Sequence, residues 1–171
     1  MRVIVDGYNF IRQSPDLSRI ESQGLDPARR ELVRRLSDYR HRKGHQIVVV
    51  FDAAEGVYSS QRQEWSHGIS IAYSKRGETA DEVIKRLAST GREGVVVVTS
   101  DRELAMFAEK QGCTTIRSDE FEQKMIRPTV LLAQDDLPEE EEEGRSGQRK
   151  KGNPKRLPKA RRQRQAKLLQ L

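Results

Sequence analysis

Several features that define other protein classes are missing from this 171-residue chain. It has no run of about 18 apolar residues, so no membrane-spanning helix is expected. It begins with a strand pattern instead of a basic segment and an apolar stretch, so no secretory signal is expected. Cys113 is the single cysteine. One cysteine excludes an internal disulfide and favours a reducing, cytoplasmic location.

Signatures of nucleotide-dependent enzymes and of histidine metal sites are missing as well. Neither a GxxxxGK[ST] loop nor a GxGxxG loop after a strand occurs, which argues against an ATPase or a dinucleotide enzyme. His41 and His45 have helical spacing, but Gly44 interrupts the helix between them, and His67 lies alone in a polar segment. A histidine-based metal site is therefore not expected.

Acidic residues are absent from the last part of the chain. Residues 1–143 hold all 26 Asp and Glu together with 21 Lys and Arg, whereas residues 144–171 hold 11 Lys and Arg. Blocks of like charge do not form a core. We therefore predict a folded domain at 1–127, an acidic linker at 128–143 and a disordered basic tail at 144–171. The charge of the tail favours binding to RNA or the ribosome over folding back onto the acidic run.

What the chain does contain is a set of Val-rich apolar runs with helical patterns between them. Nearly unbroken runs of this kind are typical of strands buried on both faces of a parallel sheet. The alternation predicts an α/β sandwich whose mainly parallel central sheet is flanked by helices. The runs are RVIVD (2–6), QIVVVFD (46–52), ISIAYS (69–74) and GVVVVTSD (94–101), with a weaker run at CTTI (113–116).

The longest helical pattern begins near Asp26, which is predicted as its N-cap, and ends at Gly44. Its arginines either face solvent or contact RNA. Residues 53–68 are polar and predict a long loop. Tyr58 and Trp65 in this loop either cap the sheet edge, which we favour, or stack on a base.

Carboxylates stand at equivalent places in four separate segments. Asp6, Asp52 and Asp101 each follow a predicted strand, and Asp81 opens the helix after the third main run. The carboxyl ends of parallel strands share one edge of the sheet, where open α/β sheets bind their ligands. We therefore expect these four side chains to lie near one another.

Two of these aspartates have no structural duty in the local pattern. The segments ETADEV and TSDREL each fit a capping box, with Thr79 and Ser100 as the N-caps and a glutamate three residues later. This interpretation leaves Asp81 and Asp101 without a cap role and available for another function.

Carboxylates that lie close together repel one another unless a cation lies between them. Mg²⁺ prefers oxygen ligands and takes one or two carboxylates, waters and substrate phosphate oxygens. The four aspartates therefore predict a magnesium site that acts on phosphate esters. Gly7 is expected to allow a tight turn or the approach of a ligand. Asn9 either binds a ligand or forms an Asx turn or helix cap.

Four of these segments together resemble the NYN domain of YacP-like proteins, which are PIN-like, metal-dependent ribonucleases. They are VDGYNFI, VVVFDA, ETADEVI and VVTSDRELA, in that order, within residues 1–127. The acidic run and the basic tail depart from the compact pattern of that family.

The resemblance implies a PIN-like fold, a Mg²⁺ or Mn²⁺ cofactor and endonucleolytic cleavage of RNA, linked to mRNA decay at the ribosome. It also implies which residues act. The catalytic and metal-binding acids would be Asp6, Asp81 and Asp101, with Asn9 and Asp52 in supporting catalytic positions.

Affinity for RNA has to come from basic residues, because the acids repel phosphates. The candidates are Lys75, Arg76, Arg102, Arg149, Lys150, Lys151, Arg161 and Arg162. The alternative function is a non-catalytic RNA- or ribosome-binding protein with a PIN-like fold. A phosphotransfer domain is not favoured, because the paired acids that it needs after the first strand are missing.

Overall fold

The computed structural model describes residues 1–53, 62–90, 94–126 and 159–171. These ranges contain six strands and seven helices. The strands are β1 (Arg2–Asp6), β2 (Gln46–Phe51), β3 (Arg62–Ser66), β4 (Ile69–Tyr73), β5 (Val95–Val98) and β6 (Thr114–Ile116). The helices are α1 (Gly7–Gln13), α2 (Pro15–Glu21), α3 (Leu25–Lys43), α4 (Ala80–Ser89), α5 (Arg102–Lys110), α6 (Ser118–Ile126) and α7 (Lys159–Gln170).

The strands form one sheet in the order β3-β4-β2-β1-β5-β6. β1 pairs in parallel with β2 and β5, and β4 and β6 continue the parallel arrangement on either side. β3 pairs with β4 in the antiparallel direction. This confirms the predicted α/β fold with a mainly parallel sheet flanked by helices. None of the described helices is long and apolar enough to span a bilayer.

Side chains of the central strand alternate between two cores. Val3 and Val5 join the core beneath α1, α2, α3 and α6, whereas Ile4 joins the core beneath α4 and α5. Successive residues of a strand point to opposite faces, so a strand that is covered on both faces needs an unbroken apolar run. This explains why the runs carry no polar alternation.

Strand β3 occupies part of the segment that was predicted to be a loop. It joins β4 through a turn at His67 and Gly68, which have positive φ angles of 50° and 76°. An edge strand tolerates polar residues, and this is why RQEWS carried no apolar signal. Trp65 is 74% exposed, so it does not cap the sheet edge. Tyr58 lies outside the described residues.

Helix α3 begins two residues earlier than predicted. Gly24 is its N-cap and provides no side-chain hydrogen bond. Asp26 lies in the first turn and accepts a hydrogen bond from Arg29 at 2.5 Å, so its predicted cap role is wrong. Gly44 ends the helix in the left-handed conformation, as predicted.

The basic tail was expected to be disordered, but its described part is a helix that packs on the domain. α7 lies against β6, and Leu171 is 2% exposed in the core beneath α3 and α6. The hydroxyl of Tyr39 donates a hydrogen bond to the Leu171 carbonyl oxygen at 2.6 Å, and the Lys124 ammonium donates to the Leu168 carbonyl oxygen at 2.6 Å. Burial of apolar side chains at the end of a charged helix supplies the packing that composition alone did not indicate.

Candidate active site at the carboxyl edge of the sheet

Four aspartates lie along the carboxyl edge of the sheet, and we call this group the carboxylate edge. Asp6 ends β1, Asp52 directly follows β2, Asp101 lies in the turn after β5, and Asp81 is in the first turn of α4. β2, β1 and β5 are neighbouring strands, and neighbouring strands lie about 4.8 Å apart. The sheet order therefore brings together residues that are far apart in the sequence.

Asp6 is the most enclosed of the four, at 7% exposure. Burial raises its pKa from 3.8 to about 6, and the charges of Asp81 and Asp52 act in the same direction. Two hydrogen bonds act in the opposite direction. The Thr99 hydroxyl donates to Oδ2 at 3.1 Å, and the Asn9 backbone N–H donates to Oδ1 at 3.4 Å. Asp6 thus also serves as the N-cap of α1.

Asp81 has an electrostatic environment similar to that of Asp6. Burial raises its pKa, and the charges of Asp101 and Asp52 contribute in the same direction, while Lys85 lowers it. The predicted capping box at the start of α4 is confirmed, with the Thr79 side chain as the cap. Asp81 has no part in that box, so its carboxylate is available at the carboxylate edge.

Asp52 fastens α4 to the sheet. Its Oδ1 accepts a hydrogen bond from the Ala80 backbone N–H at 2.6 Å. This N–H is one of the donors at the first turn of a helix that have no partner within the helix. Asp52 therefore fixes where α4 begins relative to β2, and with it the position of Asp81.

The predicted capping box at the start of α5 is wrong. Asp101 itself is the N-cap, because its Oδ1 accepts a hydrogen bond from the Leu104 backbone N–H at 2.8 Å. Ser100 instead accepts a hydrogen bond through Oγ from the Ser118 backbone N–H at 3.3 Å. Asp101 therefore has a cap role in addition to its place at the carboxylate edge.

Thr99 was not predicted as a site residue, yet it connects two of the aspartates. It is 2% exposed. Its hydroxyl donates to Asp6 and accepts a hydrogen bond from the Asp101 backbone N–H at 3.1 Å. The sequence signal that could have indicated Thr99 as a site residue is its position as a polar residue between the valines of β5 and Asp101.

Asn9 connects helix α1 to two other segments of the chain. It lies inside α1, so it is neither the helix cap nor an Asx turn at its start. Its side-chain Oδ1 accepts hydrogen bonds from the Ser100 backbone N–H at 2.9 Å and from the Ser118 hydroxyl at 3.0 Å. These bonds tie α1, which follows Asp6, to the turns after β5 and β6.

Gly7 has a packing role rather than the conformational role expected for it. It is the first residue of α1 and is not among the described glycines with positive φ. A Cβ at this position would collide with the Phe51 ring and lie 2.8 Å from the Val50 carbonyl oxygen. Only a hydrogen atom fits between α1 and the end of β2.

The carboxylate edge fits an open magnesium site better than a closed cage. In the described ranges, no three His, Cys, Asp or Glu side chains converge closely enough to form a metal-binding group. Burial raises the pKa values of Asp6 and Asp81, neighbouring carboxylates add to both shifts, and a cation would relieve that part of the cost. All the donors are oxygens, and Mg²⁺ is commonly held by one or two carboxylates with waters and phosphate oxygens.

Three of the predicted basic residues lie in the segments that carry or adjoin the aspartates. Lys75 and Arg76 are exposed in the turn before α4, and Arg102 is exposed at the start of α5. Arg162 is exposed on α7. Arg161 lies on the same helix, and the side chain of Arg161 is outside the described part of the structure. The predictions for Arg149, Lys150 and Lys151 lie outside the described residues.

A groove of about 370 Å³ begins beside Asp101 and runs between α5, β6 and α7. Three arginines line it: Arg102, Arg117 and Arg164. Arg117 pairs with Asp119 at 3.0 Å, and Arg164 lies 3.6 Å from Glu109. In the described part of the chain, Arg102 makes no such pair and is the groove's available cation.

Comparison with known proteins identifies a family. The family described as "YacP-like NYN domain" matches residues 3–169. A curated protein of Bacillus subtilis (strain 168), "Uncharacterized protein YacP", is 34% identical over 86 residues. That alignment covers 50% of this chain and 50% of the relative, so the chain spans about half the length of the curated relative it matches.

Two solved structures have a similar fold. One is the crystal structure of a single-substitution mutant of Rae1 (YacP) from Bacillus subtilis, with a TM-score of 0.63 and 27% identity over 73% of this chain and 74% of the other. The second is the crystal structure of Rae1 (YacP) from Bacillus subtilis, with a TM-score of 0.61 and 29% identity over 73% of each chain.

Proposed function

The chain belongs to the YacP-like NYN domain family, and from this premise we propose that it is an endoribonuclease that depends on Mg²⁺ or Mn²⁺. The family has a PIN-like nuclease fold. The observation that carries the proposal is the grouping of Asp6, Asp52, Asp81 and Asp101 at the carboxyl edge, where open α/β sheets bind their ligands. Burial raises the pKa of Asp6 and of Asp81, neighbouring carboxylates add to both shifts, and a cation would offset the cost of their charges.

Asp6 and Asp81 are the residues that would hold the metal. Asp101 would contribute through the carboxylate oxygen that does not cap α5, and Asp52 supports the site by positioning α4. A bound divalent cation supplies positive charge at the scissile phosphate and lowers the pKa of water. Asn9 and Thr99 hold the acids in place through the hydrogen bonds already described.

The remaining residues bind and orient the RNA. Arg102 lies next to Asp101, and its guanidinium can form two parallel hydrogen bonds to a phosphate. Lys75 and Arg76 offer positive charge in the exposed turn before α4, the helix that carries Asp81. These basic residues would bind the strand near the acids and offset the repulsion between carboxylates and phosphates. The products would carry 5′-phosphate and 3′-hydroxyl ends.

A cleavage assay with matched variants tests this function. Asp81→Asn and Asp6→Asn are expected to abolish metal-dependent cleavage of a panel of labelled single-stranded RNAs while the circular dichroism spectrum stays native. Asp16→Asn is the control, since it removes the same charge from an exposed position on α2. Cleavage by the parent should stop when EDTA removes the metal. Full cleavage by both site variants would refute the assignment.

We extend the proposal to mRNA, with the ribosome as a partner and the cytoplasm as the location. The support is membership of the family, together with the basic charge of residues 144–171. Mapping of RNA 5′ ends in cells that express the parent or Asp81→Asn tests this extension. New ends within translated regions are expected with the parent alone, and identical maps would contradict it.

A second candidate function is RNA binding without cleavage. The open arrangement of the carboxylates favours it, because within the described ranges no three of them converge on one metal position. Strong, salt-sensitive RNA binding with no cleavage of any RNA in the panel would establish this alternative.

A further inference from the structure

A second cavity lies near β2 and β4, on the other side of the sheet order from the groove that begins beside Asp101. It has a volume of about 450 Å³ and lies between α3 and the β3–β4 hairpin. Arg29 and Arg30 line it from α3, Phe51 and Tyr73 from the ends of two strands, and His67 from the hairpin turn. The cavity therefore combines an aromatic floor with walls that carry arginines, the carboxylates of Asp26 and Glu64, and polar groups.

The aromatic floor is held in place by ring contacts. Phe51 and Tyr73 have their ring centroids 6.1 Å apart with planes inclined by 31°. Tyr8 meets Phe51 edge-on at 5.2 Å. Phe51 is fully buried, whereas Tyr73 is partly exposed, so Tyr73 offers the accessible face. A fixed, partly exposed aromatic ring is a stacking platform for an unpaired base.

The charges of the cavity leave one arginine available. Arg29 pairs with Asp26 at 2.5 Å. Arg34, which also lines the cavity, is held by two carboxylates of its own helix at 2.8 and 2.9 Å. Arg30 is exposed and has no ion pair within the described part of the chain. It is therefore the guanidinium that could bind a phosphate without breaking an existing pair.

The cavity is continuous with the carboxylate edge along the chain. Phe51 directly precedes Asp52, and Tyr8 follows Asp6 by two residues. Consecutive Cα atoms lie about 3.8 Å apart. An RNA strand that crosses the edge at Asp6 and Asp52 would thus bring a neighbouring nucleotide to the Phe51 and Tyr73 rings.

We propose that this cavity binds one nucleotide of the RNA strand adjacent to the cleavage position, with its base stacked on Tyr73 and its phosphate bound by Arg30. This inference rests on the proposed function and deepens it, because it states where one unpaired nucleotide of the RNA substrate binds. Glu64, Ser66 and His67 border the cavity with hydrogen-bonding groups for the edge of the base.

A binding experiment tests the proposal separately from catalysis. The probe is a labelled short oligouridylate, together with a series in which the base is removed from one position at a time. The protein carries Asp81→Asn, so that the probe is not consumed. In this background, we expect removal of the base at one position to weaken binding roughly five- to hundred-fold, the range measured for base–aromatic stacking.

Variants of cavity residues then test whether the base at that position of the oligonucleotide binds in this cavity. Tyr73→Leu should abolish the dependence on the missing base, whereas Tyr73→Phe should retain it. Arg30→Gln should weaken binding of every probe, and Arg19→Gln, an exposed arginine on α2 away from both cavities, should change binding less. Arg30 is at the surface, so this arm stays informative even if Tyr73→Leu does not fold.

Three results would overturn the proposal. They are the absence of a position-dependent effect, the same effect in Asp81→Asn with and without Tyr73→Leu, and equal losses in Arg30→Gln and Arg19→Gln. Free uridine monophosphate serves as a further probe. Binding of the mononucleotide as tight as that of the oligonucleotide would assign the cavity to a free nucleotide instead. Absence of cleavage by the parent, with the base dependence intact, would refute the nuclease function and leave the cavity assignment standing.

Discussion

The Asp6 carboxyl allows a quantitative prediction that links stability to function. Its pKa rises from 3.8 to about 6 in the folded protein, mainly through burial. The folded state therefore favours the protonated form. Asp6 contributes stability below pH 4, and this contribution is lost as the pH rises through about 6. The difference between the two pKa values corresponds to about 3 kcal/mol of unfolding free energy.

Replacement of Asp6 by asparagine removes this cost at neutral pH. The amide cannot accept hydrogen bonds from both Thr99 and the Asn9 backbone N–H, and one lost bond costs about 1–2 kcal/mol. The net expectation is that Asp6→Asn is more stable than the parent by about 1–2 kcal/mol at pH 7.5. For a chain of this size, this raises Tm by about 2–8 °C. Cleavage should be lost in the same variant, as expected where a strained active site is relaxed.

Urea unfolding in metal-free buffer between pH 4 and pH 8 measures the unfolding free energies of the parent and of Asp6→Asn at each pH. The stability advantage of Asp6→Asn should disappear as the pH falls through 6 towards 4, because the parent then becomes protonated at Asp6. Added Mg²⁺ should stabilise the parent and leave the variant nearly unchanged. If Asp6→Asn is less stable than the parent at pH 7.5, and the two unfolding curves keep a constant separation with pH, the reasoning about Asp6 fails.

Three further variants test the packing around the site. Gly7→Ala should lower the unfolding free energy by about 1–3 kcal/mol, since the new Cβ collides with Phe51, and thermal unfolding would detect this. Tyr39→Phe should cost about 1–2 kcal/mol by leaving the Leu171 carbonyl unpaired, and faster amide hydrogen exchange in α7 should accompany the loss. Asn9→Ala removes the acceptor of two donors, so it should reduce both stability, by about 2 kcal/mol, and cleavage rate. Unchanged exchange in α7 or unchanged cleavage would contradict the last two.

The parallel strands and the carboxylate edge could be predicted because their signals are local, whereas the polar edge strand β3 gave no such signal. A valine run that ends in aspartate defines both a buried strand and the side of the sheet where its carboxylate lies. The cap of α5 could not be predicted in the same way. Ser100 and Asp101 are both good N-cap residues, and the choice depends on where β5 ends.

The docking of α7 could not be predicted because its signal is not local. Its sequence is strongly basic, and the apolar side chains at Leu168 and Leu171 are few. They pack against β6, α3 and α6, where the buried Tyr39 hydroxyl donates a hydrogen bond to the main-chain oxygen of Leu171. Such a contact depends on the assembled domain and not on the periodicity of the helix.

The sheet order also determines how far the chain can diverge without losing the site. Asp6, Asp52 and Asp101 follow three neighbouring strands, so their separation is set by the hydrogen-bond spacing between backbones, which side chains hardly alter. Exchanges among Val, Ile and Leu in either core change stability and leave this spacing almost untouched. A site whose width is fixed by the main chain can be inherited through extensive replacement of the core, provided that the few polar residues at the strand ends are retained.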